Sequence, residues 1–351
     1  MNVAIVGAGV IAQRYAERIA DVDGLTLVGV TDVLFERAEA LAAKHDAAAY
    51  DALEKLLGAG DVETVVNLTI PAKHVEVTRA ALEAGKHVHT EKPLALRAGD
   101  AHALGALARE RGVRLSCAPA TLLGEAQQTA WKHVRDGGLG DVKVVYAEAN
   151  WGLIESWHPE PESLYVSGPL VDVGIYPLTI VTAMFGPVRR VTAFATTVQP
   201  VRTRKDGKTF QLETPDFWVA ACEHASGVVT RLTATFWVKP SKQRGLEFHG
   251  TTGSLWMPTW GESNSRLLRT ENGEDYDPVP VLRPAYQGFD WSLALVDLAE
   301  AIRDDRPHRM SAEHAAHVVE VLNGADESRR NGGAVEISST FDAPQPLDWA
   351  R

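Results

Sequence analysis

Residues 2–12 read Asn2-Val3-Ala4-Ile5-Val6-Gly7-Ala8-Gly9-Val10-Ile11-Ala12. The run from Asn2 to Val6 is short and apolar, the pattern of a strand buried on both faces, and a glycine turn follows it at once. An amphipathic pattern then continues to about residue 20, so the stretch predicts strand, tight turn and helix. In that arrangement Gly7 allows the turn, Gly9 lets the backbone approach a pyrophosphate, and Ala12 permits close packing of helix on strand. The phosphate would rest on free N–H groups at the helix N-terminus. A second apolar run over 25–31 ends at Asp32, about twenty residues past the glycines, where a carboxylate binds ribose hydroxyls and repels a 2′-phosphate. The pattern predicts a dinucleotide site that prefers NAD to NADP. Asp32 can also cap a helix over 34–44, and the two roles are compatible.

Outward from this unit, residues 64–70 predict another buried strand, and Pro71 opens a helix over 74–84 that closes on Gly85. Residues 99–111 predict a helix and 113–117 a strand. Strand and helix alternate over residues 1–120, which predicts a doubly wound parallel sheet, a Rossmann domain. Within it, His87-Val88-His89-Thr90-Glu91-Lys92-Pro93 reads as a strand that carries Lys92 to its carboxyl end, where ligands collect in an open parallel sheet. Pro93 lacks an N–H and restrains the residue before it to extended geometry. Lysine also changes its charge state most readily on desolvation, which suits a proton shuttle. A surface Lys-Pro turn would carry the same letters.

Residues 121–351 follow a different grammar. After a helical stretch over 122–138, strand alternation appears at 142–151, 190–198, 216–224, 228–237 and 245–249, with turns at Ala225-Ser226-Gly227 and Thr251-Thr252-Gly253. Helices are predicted over 291–303 and 312–330, and a tail over 341–351 along a surface. This is an α+β C-terminal domain built on a large, mostly antiparallel open sheet, serving substrate binding and oligomerisation. Between its first strands lies Ser167-Gly168-Pro169-Leu170-Val171-Asp172-Val173-Gly174-Ile175-Tyr176-Pro177. Gly168 and Pro169 suit the entry of a helix, and Asp172 and Tyr176, four apart, share a face. Brought opposite Lys92, a carboxylate and a phenol supply what hydride transfer at a secondary alcohol needs: a proton acceptor, a cation beside it and an orienting charge. On spacing alone, Asp172 is equally a first-turn acid and Tyr176 a packed aromatic.

The 351 residues include 35 basic and 46 acidic side chains, for a net charge of -11 with no basic run, so neither nucleic acid nor membrane is expected as a partner. No stretch reads as long enough to span a bilayer, and Met1-Asn2 offers no positively charged signal region, so the expected location is cytoplasmic. Cys117 and Cys222 are too few for a disulfide framework and read as buried free thiols. His74, His87 and His89 lack a second ligand at metal spacing and read as structural, so no metal is expected. All nine tryptophans follow residue 130. Trp151, Trp157, His158 and Tyr165 lie in the loop leading into the Gly168 helix, where aromatic faces suit the C–H surfaces of sugar rings. The apolar strand content predicts a homodimer or homotetramer through the C-terminal sheet.

The glycine fingerprint ending in Ala12, the run Ala84-Gly85-Lys86-His87-Val88-His89-Thr90-Glu91-Lys92-Pro93-Leu94-Ala95, and Gly168 to Tyr176 together resemble the glucose–fructose oxidoreductase and inositol dehydrogenase (Gfo/Idh/MocA) family over essentially the whole chain. The resemblance implies an NAD(P)-dependent oxidoreductase of sugars, sugar derivatives or polyols. It carries the family's catalytic lysine onto Lys92, its aspartate onto Asp172, and its histidine or tyrosine acid/base position onto Tyr176. The cofactor set is Gly7, Gly9, Val10, Ile11, Asp32, Thr69, His74, Glu91 and Lys92; the substrate set is Trp157, His158 and Thr179. Thr179 stands where the inositol dehydrogenase branch has an acid or histidine, so an inositol substrate is not implied. Two alternatives remain: a lyase or glycosidase that recycles its NAD, and a non-catalytic dinucleotide-binding sensor.

Overall fold

The computed structural model describes residues 1–238 and 241–351. In chain order the first elements are β1 (Asn2–Val6), α1 (Val10–Asp21), β2 (Thr26–Thr31), α2 (Phe35–Lys44), β3 (Ala48–Tyr50), α3 (Leu53–Gly58), β4 (Thr64–Asn67), α4 (His74–Glu83), β5 (His87–Thr90), α5 (Ala98–Arg111) and β6 (Leu115–Cys117). There follow α6 (Glu125–Arg135), β7 (Val142–Asn150), α7 (Glu162–Pro169), α8 (Ile175–Phe185), β8 (Val188–Thr196), β9 (Val201–Thr203), β10 (Thr209–Gln211), β11 (Phe217–His224) and β12 (Val229–Thr235). The chain ends with β13 (Gly245–Gly250), β14 (Ser254–Met257), β15 (Leu267–Thr270), β16 (Asp277–Val279), α9 (Leu293–Arg303), α10 (Ala312–Asn331) and β17 (Val335–Glu336).

Two compact units result, one of Met1–Ala120 with Trp291–Val319, the other of Thr121–Asp290 with Glu320–Arg351. A single cut after residue 120 therefore needs correction: Trp291–Val319 packs with the first unit. The reason is apolar coverage. Successive residues of a strand point to opposite faces, so β1 and β4 feed two cores. Val3, Ile5 and Val66 join Tyr15, Ile19 and Leu41 on one face, and Leu295 of α9 completes that cluster. Ala4, Val6 and Val65 join Leu82 and Leu104 on the other, closed by Ala312, Ala316 and Val319 of α10. Both faces are thus covered, which is why these strands read as unbroken apolar runs. The strand order is β3-β2-β1-β4-β5-β6, all parallel, and it reverses between β1 and β4. Ligands bind outside the carboxyl ends of strands at such a reversal.

The second unit carries a nine-stranded sheet, β16-β15-β14-β13-β7-β12-β11-β8-β17, antiparallel except for the β7–β12 pair. Against one face packs α8, buried from Ile175 to Ala183, as expected of a helix apolar all round. Helix entry departs from a plain α-helix: Gly168 kinks the chain at φ 70°, and Leu170–Gly174 forms a π-helical stretch before α8. With this continuation, Glu162–Phe185 is long and apolar enough to cross a membrane by length and composition, contrary to the expectation that no stretch is; 72% of its most apolar window is buried inside the protein. The C-terminal tail docks on α6, where Leu347 N–H donates to Gln128 at 2.8 Å and Ala350 is fully buried.

Candidate active site

In the first unit, Gly7 adopts φ 97°, and a Cβ there would meet the Leu68 carbonyl oxygen at 2.8 Å. A side chain would be strained in its own backbone and would collide with the chain leaving β4, so only glycine lets the β1 turn pass the reversal point. A Cβ on Gly9 would meet nothing within 4 Å, and α1 starts there without a side-chain cap. Its first N–H groups are therefore available to an anion. Asp32 braces this loop: one carboxylate oxygen accepts from Ala8 N–H at 2.6 Å, the other from Leu34 N–H at 2.8 Å. Each oxygen keeps lone pairs for further hydroxyl donors. Val10, Val33, Leu34, Ile70 and Leu96, which follow the carboxyl ends of β1, β2, β4 and β5, are exposed apolar side chains of the kind an adenine or nicotinamide ring would cover. These residues fit a dinucleotide.

Further along the same sheet, Asn67 ends β4 and organises the turn after it. Its side-chain oxygen accepts from Thr69 N–H at 3.2 Å and Thr69 Oγ1–H at 2.6 Å, while its amide donates to the His74 carbonyl. His74 is buried, with Nδ1 2.6 Å from the Pro93 carbonyl and Nε2 2.9 Å from the Thr69 carbonyl. Lys92, half-buried, follows β5; its backbone N–H donates to Glu91 Oε2 at 3.1 Å. The buried Glu91 carboxylate also accepts from Tyr15 at 2.9 Å. His89 is enclosed, and burial lowers its pKa to about 3, with His308 adding to the effect, so its ring is neutral. Desolvation, followed by the charge on Glu91, raises the buried Cys117 thiol well above its ordinary value, so it is no nucleophile. Burial takes Cys222 up to about 12.

In the second unit, Asp172 sits half-buried in the π-helical stretch and Tyr176 opens α8 at 6% exposure. The Tyr176 ring stacks on Trp260 with centroids 4.8 Å apart, and Phe289 meets it edge-on at 6.3 Å. Trp260 also stacks with Trp151 at 5.8 Å and donates its indole N–H to the Glu148 carbonyl. A Cβ on Gly261 would fall 1.9 Å from the Phe289 ring, so glycine is what admits that ring. Beside the stack lies a cavity of about 180 Å³ lined by Glu148, Asn150, Trp151, Thr259, Trp260 and Phe289. Residue spacing gave no hint of Trp260 or Phe289, which reach Tyr176 from 84 and 113 positions away.

The loop candidates separate. Trp157 is 50% exposed, with His158 edge-on at 5.4 Å, and His158 Nδ1 accepts from Glu160 N–H at 3.0 Å. Thr179 is buried, its hydroxyl donating to the Ile175 carbonyl at 2.8 Å. Tyr165, read as a loop aromatic, is interior: it donates to Glu155 at 2.6 Å, and burial then that carboxylate push its hydroxyl pKa up. The same Glu155 binds Arg202, fully buried on β9, which also pairs with Asp216 and lies over Trp237. This network pins the β9–β10 hairpin to the loop; removing one partner from a buried ion cluster costs about 3–5 kcal/mol. Among the described residues, no group of three or more His, Cys, Asp or Glu side chains is placed to hold a metal ion.

A parallel sheet with an open helix N-terminus at its reversal point, followed by a large antiparallel sheet, defines a dinucleotide-binding oxidoreductase architecture. Residues 1–118 match the model of an oxidoreductase family with an NAD-binding Rossmann fold, and residues 127–256 match the GFO/IDH/MocA C-terminal domain. The chain belongs to the GFO/IDH/MocA family of oxidoreductases. It is 30% identical over 328 residues to D-glucoside 3-dehydrogenase of Escherichia coli (strain K12), covering 89% of this chain and 86% of that enzyme. To dTDP-3,4-didehydro-2,6-dideoxy-alpha-D-glucose 3-reductase of Streptomyces violaceoruber it is 34% identical, covering 76% and 75%. The fold is shared with aldose-aldose oxidoreductase from Caulobacter crescentus, at a TM-score of 0.83, 22% identity and coverage of 96% and 99%.

Proposed function

We propose that the protein is an NAD-dependent dehydrogenase that moves hydride between nicotinamide and a carbinol or carbonyl carbon of a sugar, sugar derivative or polyol. The observation that carries this reading is the open, glycine-turned N-terminus of α1 at the sheet reversal, with a lysine at the end of a strand two places along. When bound, the dinucleotide accepts or donates the hydride at its nicotinamide ring. Gly7, Gly9, Val10 and Ile11 hold its pyrophosphate through backbone; Asp32 binds ribose hydroxyls, favouring NAD over NADP; Thr69, His74, Glu91 and Lys92 complete the set. In this reading Tyr176 is the group that takes or returns the hydroxyl proton, Lys92 the cation for the developing alkoxide, and Asp172 the carboxylate that orients the substrate. Two sugar-handling relatives and the cavity beside Trp151 and Trp260 support a carbohydrate; Trp157, His158 and Thr179 are assigned to the substrate side.

The test is nicotinamide absorbance with NAD, then NADP, over aldoses, inositols, sugar acids and glycosides, for wild type and Lys92→Ala. Turnover is expected with NAD, weaker with NADP, and reduced about 10²–10⁴-fold in the variant. Silence across the panel with NAD binding intact by calorimetry would remove the dehydrogenase reading in favour of recycled-cofactor chemistry or sensing. The uncovered sheet face, with Phe194 62% exposed and Tyr146 and Val229 also exposed, supports a homodimer or homotetramer through the second unit. A reducing cytoplasmic setting suits the two buried free thiols.

A further inference from the structure

A directed chain of hydrogen bonds runs through the interior of the first unit. Its members are Ser116 on β6, His89 on β5, Tyr15 on α1 and Glu91 beside Lys92; Ser116, His89 and Tyr15 are fully enclosed. An ionised carboxylate only accepts, so the Tyr15 hydroxyl donates to Glu91 Oε1 at 2.9 Å. Its oxygen is then left to accept from His89 Nε2 at 3.1 Å. With Nε2 protonated and the ring neutral, Nδ1 accepts from Ser116 Oγ at 3.3 Å. The other Glu91 oxygen accepts from Lys92 N–H at 3.1 Å, and His74 holds the Pro93 carbonyl beyond. The backbone is thus held at the Lys92 N–H and again one residue on, at the Pro93 carbonyl.

Tyr15 lies on the helix whose first turn is the candidate pyrophosphate site, about 8 Å of helix axis from Val10. We propose that Tyr15 is a positioning residue for Lys92, linking the phosphate-binding helix through Glu91 to the lysine backbone, so that seating the cofactor sets where the ammonium stands. This rests on the dehydrogenase reading given above. The geometry gives it weight because a lysine has four flexible carbons between backbone and charge, and an error of about 1 Å in a reacting group costs on the order of 10²-fold in rate.

Tyr15→Phe keeps the buried ring and deletes only the hydroxyl. Backbone amide exchange read by mass spectrometry, with and without NAD, tests the link without needing a substrate. In wild type the Lys92 amide should exchange slowly and more slowly still with NAD. In Tyr15→Phe it should exchange about tenfold faster, the loss of a charge-assisted hydrogen bond, and respond no further to NAD. The β4 amides should be unchanged in the variant, whereas mere destabilisation would speed them too. With a substrate from the panel, kcat should fall about tenfold with KM unmoved, and Tyr15→Phe combined with Glu91→Gln should fall no further than the worse single variant. Unchanged exchange at Lys92, or losses that multiply, overturns the proposal while the dehydrogenase reading stands. Failure of wild type to bind NAD by calorimetry, or full turnover in Lys92→Ala, overturns both.

Discussion

The parallel sheet and the antiparallel sheet hold their functional groups by different means. In the first, backbone does the work: Gly7 turns past Leu68, α1 begins uncapped above Gly9, and Asp32 ties the loop between them. Gly7, Gly9 and Asp32 lie in or at the end of one strand–helix–strand repeat, so apart from the Leu68 contact their geometry follows from local chain rules. In the second, a side chain is placed by other side chains: Tyr176 stands where Trp260 and Phe289, from distant loops, leave it room. A site built on backbone depends on where side chains are absent; one built on an aromatic stack depends on which are present.

Three variants break or sharpen that contrast. The largest effect is expected from Tyr176→Phe, which keeps the stack and removes the proton-carrying oxygen: kcat should fall about 10²–10⁴-fold with the fold intact by circular dichroism. A rate near wild type would remove Tyr176 from the chemistry and leave it a packed aromatic. Gly261→Ala comes next, because its methyl must displace the Phe289 ring, an overpacking that costs about 1–3 kcal/mol. Both melting temperature and turnover should drop; a variant that melts and turns over like wild type would show that Phe289 does not hold Tyr176. The smallest effect on turnover belongs to Phe194→Asp on the open sheet face, which should lower the mass seen by light scattering at micromolar concentration. A wild-type protein that is already monomeric would sink the oligomer proposal.

The same contrast decides what could be read from the chain. The buried run Asn2–Val6 and the helix Val10–Asp21 were plain because strand and helix periodicities differ, and Lys92 because a proline marks its strand end. The short pieces β3 and α3 were missed, since three to six residues carry too little periodicity. Helices α9 and α10 were readable as helices but not as cover for the parallel sheet, because the packing of Leu295 and Val319 depends on contacts far along the chain. Tyr165 reads as a loop aromatic, yet it is interior and Glu155 takes up its hydroxyl. Trp260 is not legible from spacing, because the room it shares with Phe289 depends on the missing side chain of Gly261.

The return of Trp291–Val319 to the first unit has a bearing on how the protein is made. By the time Ala120 emerges from a ribosome, all six parallel strands exist, but the residues that finish both faces lie beyond the whole of 121–290. At about 5–20 residues per second, the nascent sheet waits roughly ten to forty seconds with apolar ground uncovered near the future seats of Leu295, Ala312 and Ala316. A fragment ending at residue 120 would keep that exposure permanently, so the nucleotide-binding half is a poor candidate for excision as a stand-alone module.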